Sequence, residues 1–92
     1  MDDFDDEEWV EMQEMYVNHT SKELKKVRAD LTLDSLDSIR TFGHNIKGSG
    51  GMYGFNEITE IGLKIESAAK DSDLDTIESS LFELEAFLKS KI

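Results

Sequence analysis

Helix breakers are nearly absent from this chain. It has no proline, and five of its six glycines fall between Gly43 and Gly54. Proline and glycine are the residues a helix interior tolerates least, so almost everything outside that window is free to be helical. An all-α fold follows. Ninety-two residues support one hydrophobic core and therefore one domain, spanning 1–92. A chain this short buries only about 60–65% of the surface its unfolded form exposes, which leaves no room for a large internal substrate pocket.

Apolar spacing divides the chain into helices. Val10, Val17, Leu24 and Leu31 recur every seven residues, with Val27 filling in. That is a single buried stripe on a first helix from about Asp5 to Asp30. Thr20 and Glu23 have the spacing of a capping box, which would start a new helix there. One long helix, or two in line with a short extra N-terminal one, are both compatible with the stripe. Trp9, Met12, Met15 and Tyr16 read as core. Leu31 to Asp34 forms a turn, and Asp34 or Ser35 caps the second helix. Leu36, Ile39, Phe42 and Ile46 line one face of that helix, which ends near Gly50. A loop over 51–55 carries Gly54, suited to a left-handed helix stop. Asn56 then caps a helix with Ile58, Ile61, Ile65 and Ala68 or Ala69 inward. Asp71, Ser72 and Asp73 form the last turn. Leu74, Ile77, Leu81, Leu84 and Leu88 come next at steps of three and four, the seam spacing of packed helices. Short connections between helices of similar length imply an up-and-down antiparallel four-helix bundle.

Charge narrows the function classes. The formal net charge of −11 repels a polyanion, so nucleic acid is excluded as a partner. Eight of the 21 acidic residues lie in the first 14 positions, with no basic residue among them. Carboxylates there complement the positive end of a helix dipole, a simpler reading than a calcium site or an acidic docking tail. Without cysteine there are no disulfides or thiolate metal sites, which fits a reducing compartment. No apolar run approaches the roughly 20 residues of a membrane span, and the N-terminus is acidic where a secretory signal is basic. A cytoplasmic monomer off the membrane is expected. Two histidines 25 residues apart offer no paired metal ligands, and the apolar stripes carry no inward His or Glu to hold haem or di-iron. No metal and no cofactor are expected.

One segment breaks the local rules: Gly43-His44-Asn45-Ile46-Lys47-Gly48-Ser49-Gly50-Gly51. Each glycine costs about 1 kcal/mol against alanine inside a helix, yet the apolar period through Ile46 makes the segment helical. Broken local rules in one place usually mark function. His44, Lys47, Gly48 and Gly51 stand at i, i+3, i+4 and i+7 and share one face. His44 lies about 140° around the helix from Ile39, toward solvent. That face presents a nucleophile, a fixed positive charge and bare backbone at Gly48 and Gly51, where a partner can approach closely. A neutral imidazole nitrogen attacks phosphorus readily, and an ammonium steadies the phosphoryl oxygens. A lone surface histidine is usually inert, and His19, which has no such neighbours, reads as one.

These residues resemble the histidine-phosphotransfer (HPt) family of two-component phosphorelays, whose H-x-x-K-G motif reads here His44-Asn45-Ile46-Lys47-Gly48, followed by Ser49. The likeness continues through Gly54 and 63–66, and loosely to the C-terminus. The first 30 residues match only in pattern. The resemblance implies a carrier that takes a phosphoryl group from a receiver-domain aspartate and passes it to another receiver, with a hybrid sensor histidine kinase upstream. His44 would be phosphorylated through Nε2, Lys47 would stabilise the phosphate, and Gly48 would clear the approach. Glu66 matches the position that orients the histidine through Nδ1, the alternative being an exposed helix glutamate. Magnesium would belong to the receiver. Gly43 departs from the small or aliphatic residues often found before the histidine and is expected to loosen the local backbone. The run from Ile46 to Phe55 is also similar to the phosphorylated domain of chemotaxis kinases, where the donor is an ATP-bound kinase domain. No Gly-rich nucleotide loop follows a strand, so no kinase or ATP-binding activity is expected of this chain. The remaining alternatives are a non-enzymatic helical interaction module and a metal-binding bundle.

Overall fold

A computed structural model describes residues 6–91. The described residues form four α-helices and no strand: α1 (Asp6–Ala29), α2 (Leu36–Gly50), α3 (Asn56–Lys70) and α4 (Leu74–Lys89). Single 3-10 turns lead into α2 (Leu33–Ser35) and follow it (Gly51–Tyr53). The helices pack as a ring in which α1 touches α2 and α4, and α3 lies between α2 and α4. With connections this short, neighbours run antiparallel, so the molecule is an up-and-down four-helix bundle. Its core is drawn from the expected stripes: Val17 and Leu24 from α1, Ile39, Phe42 and Ile46 from α2, Ile58, Ile61, Ile65, Ala68 and Ala69 from α3, and Ile77, Leu81, Leu84 and Leu88 from α4. Leu36 and Leu74 sit partly buried at its margin.

α1 is one unbroken helix, so the start expected at Thr20 is not used. Thr20 lies on the inward face and is buried; packing into the core outweighs its capping propensity. The expected start at Asp5 lies outside the described residues. Twenty-four residues make α1 about 36 Å long, some 13 Å longer than α2 or α3. Val10 continues the Val17 stripe past the end of the bundle and is left 47% exposed. Met15 is 71% exposed, because it points about 160° away from Val17 on the helix. Neither belongs to the core. Trp9 and Tyr16 are only partly buried and pack at the bundle's end. Trp9 stacks on Tyr53 with centroids 6.4 Å apart, Tyr53 on Tyr16 at 4.4 Å, and Tyr16 on Phe55 at 6.1 Å. Gln13 Nε2 donates to Tyr53 O at 2.8 Å, and Tyr16 shares a 2.8 Å hydroxyl bond with Ser49. These contacts fasten the long end of α1 to the turn after α2.

The helix ends follow local chemistry with two departures. Ser35 stands at the start of α2 but its hydroxyl turns back, donating to Asp30 O and Thr32 O and accepting from Thr32 N–H. It closes the turn instead of capping the helix. Asn56 is the first residue inside α3, and Phe55 occupies the position before it without a side-chain cap. Gly54 takes the left-handed conformation (φ 84°) that stops the turn after α2. Asp73 caps α4, accepting from Thr76 N–H at 3.1 Å and from the Thr76 hydroxyl at 2.6 Å. Those bonds, the hydroxyl's first, hold its carboxyl below the ordinary range.

Candidate functional site

The site is made where α2 and α3 touch, and glycine lets them touch. A Cβ on Gly62 would lie 2.6 Å from Lys47 N and 2.7 Å from Gly43 O. One on Gly43 would lie 2.8 Å from Glu66 N, and one on Gly50 2.8 Å from Thr59 N. Overlaps of that kind against backbone cannot be relieved by turning a side chain. Gly43 therefore does not loosen the helix; it admits α3 to backbone contact and is buried by it. Thr59 fastens the same crossing, its hydroxyl accepting from Gly51 N–H at 2.8 Å and donating to Lys47 O at 2.9 Å. Sequence reasoning missed Gly62, Gly50 and Thr59. The seven-residue spacing of Gly43 and Gly50 was the available signal, since it places both on one helix face about 100° from His44.

Close approach of the helices sets Glu66 beneath His44. The His44 side chain is 65% exposed and that of Glu66 only 9%. Nδ1 of His44 lies 2.9 Å from Glu66 Oε2, and Lys47 Nζ donates to Glu66 Oε1 at 2.6 Å. Lys47 is one-third exposed and on the same side as His44. Glu66 is thus no exposed helix glutamate: one buried carboxylate clasps both residues. The Lys47 ammonium above all, and then the His44 ring, hold its carboxyl below the ordinary range against the opposing effect of burial. An ionised carboxylate only accepts hydrogen bonds. The proton between the pair therefore belongs to Nδ1, and a neutral ring then carries its lone pair on Nε2.

Around this clasp the surface is open. A Cβ at Gly48 would meet nothing within 4 Å, so no packing reason exists for glycine there. Gly51 differs. Its backbone has entered the 3-10 turn, and a Cβ would rest 3.4 Å from Asn56 Oδ1 and 3.5 Å from Thr59 Oγ1. Gly51 is exposed, and a Cβ there would point toward α3 at ordinary contact distance. Asp37, Arg40 and Thr41 line a shallow cleft with His44 and Glu66. His19 stands apart, among Met12, Met15, Tyr16 and Tyr53. Among the described residues no group of three or more His, Asp or Glu side chains is placed to hold a metal ion, and no helix is long and apolar enough to cross a membrane.

A family model, the Hpt domain, matches residues 11–90. The chain belongs to the Hpt domain family. Comparisons with curated proteins and with solved structures gave no match. Hpt domains serve phosphotransfer in two-component signalling as phosphocarrier modules rather than kinases, and work with receiver domains and histidine kinases. In this Hpt domain the matched span covers all of α2, α3 and α4 and all of α1 but its first five residues.

Proposed function

We propose that this Hpt domain carries its phosphoryl group on Nε2 of His44, receiving it from the aspartyl phosphate of one receiver domain and delivering it to the aspartate of another. The observation that carries the reading is an imidazole whose side chain is 65% exposed and whose Nδ1 is tied, by 2.9 Å, to a buried carboxylate. In the forward step the Nε2 lone pair attacks phosphorus, the N–P bond forms, and the bond from phosphorus to the receiver's carboxyl oxygen breaks. The carboxylate leaves with its electron pair. The ring, still protonated on Nδ1, becomes positively charged, and Glu66 stabilises that charge through the bond it already makes. Transfer onward reverses these events, so no proton needs to leave the site.

Lys47 lies one turn from His44, and its ammonium steadies the phosphoryl oxygens as charge spreads over them. Gly48 leaves the ground bare for the incoming receiver surface. The magnesium that phosphoryl transfer requires sits on the receiver, and this chain supplies no cofactor. The test is to mix the protein with receiver domains bearing an aspartyl phosphate and to look for acid-labile, base-stable label. Label on the wild type that vanishes in His44→Gln is the expected result. Label that persists in that variant, or no label from any receiver of the source organism, refutes the assignment.

A further inference from the structure

We infer that Arg40 is a second phosphoryl-binding residue of this site, holding the oxygens of the group carried on His44. The inference rests on His44 being the carrier. Arg40 stands one helical turn before His44, so the two share a face with Cβ atoms about 5–6 Å apart. Both line the same shallow cleft, with Asp37, Thr41 and Glu66. Helical side chains lean toward the N-terminus of their helix, which carries the His44 ring over the turn that bears Arg40 and Thr41.

Of the two basic side chains that flank His44, Arg40 is the one not already engaged. Lys47 is already matched by Glu66 at 2.6 Å, Lys64 by Glu83 at 3.2 Å, and Arg28 by Glu85 at 2.9 Å. Among the described residues Arg40 makes no hydrogen bond or ion pair. A phosphoryl group on Nε2 brings about two negative charges into a cleft that also holds Asp37 and the Glu66 carboxylate. Lys47 can turn to it only by weakening its hold on Glu66, whereas Arg40 can bind it without breaking anything. Its planar fork of N–H donors also fits two phosphoryl oxygens at once.

The test uses potassium phosphoramidate, a donor with no protein surface, so that docking plays no part. It is run on the full chain in a His19→Gln background, where His44 is the one histidine left. Arg40→Gln is expected to lower the rate of labelling about three- to tenfold at low ionic strength, and less at high salt. It is also expected to raise the 31P titration midpoint of the bound phosphoryl group by about 0.3–0.5 pH unit, because a neighbouring cation favours the dianion. Arg40→Lys should recover part of both. An unchanged rate overturns the inference. So does a slower rate with an unmoved midpoint, which a merely disturbed helix would give. Absence of label on His44 of the parent protein is a different result: it refutes the carrier reading itself, and the role of Arg40 with it.

Discussion

Glu66 is bound to two partners that pull its titration the same way, and acidification should reveal it. Its folded carboxyl is held below the ordinary value near 4.5, by Lys47 first and His44 second. The stability it contributes is fully present above that value and is lost as pH falls through the lower folded one. Wild type is therefore expected to lose more unfolding free energy than Glu66→Gln between about pH 5 and pH 3, measured by urea unfolding. Parallel losses would show that the clasp contributes nothing. Glu66→Ala should slow phosphoryl transfer about tenfold or more, since the ring loses both its orientation and its counter-charge. At this scale the sequence placed His44 and Lys47 together, because a helix fixes which residues share a face, and only the family resemblance pointed to Glu66 on the next helix. It said nothing of how deep Glu66 lies, since burial there depends on the distance between two helices.

That distance belongs to the α2–α3 element pair, where three glycines carry opposite meanings. Gly43 and Gly62 are empty because backbone fills the space, Gly48 because nothing does. A sequence shows the same letter in all three places, which is why Gly43 reads as looseness and proves to be contact. The difference predicts opposite signs. Gly48→Ala should stabilise the protein by about 0.5–1 kcal/mol through helix propensity alone. Gly43→Ala should destabilise it by about 1–3 kcal/mol, because the helices must part to admit the methyl group. Thermal or urea unfolding of the two variants decides the matter, and a shared sign would contradict the account. Gly48→Phe should keep the fold, slow transfer from a receiver, and leave labelling by phosphoramidate nearly unchanged. Equal slowing with both donors would show that the bare patch does not serve docking. Helix boundaries elsewhere were legible where turn chemistry is strong, at Gly54 and Asp73. They were not where a capping residue such as Thr20 could be drawn into the core.

At the scale of the whole molecule, apolar periodicity gave the bundle and charge gave its habits. The seven-residue stripe of α1 was legible as far as Val17. Beyond it Val10 keeps the period but is left half exposed, because α1 is longer than the helices it packs on. A net charge of −11 on 92 residues repels itself in the compact state. Raising salt from about 0.02 to 0.5 M should therefore increase the urea midpoint, through screening of that repulsion. A midpoint that falls would mean that ion pairs such as Arg28–Glu85 and Lys64–Glu83 outweigh it. The same acidity leaves the few basic side chains conspicuous, and two of them, Arg40 and Lys47, flank His44.

The most direct measurement is a long-range 1H–15N correlation spectrum of the protein after phosphorylation, with the ring nitrogens of His44 assigned. Phosphorus is expected on Nε2 and a proton on Nδ1, its signal lost or shifted when Glu66 is replaced. Phosphorus found on Nδ1, or a phosphorylated protein whose His44 ring is unmodified, would contradict the carrier reading.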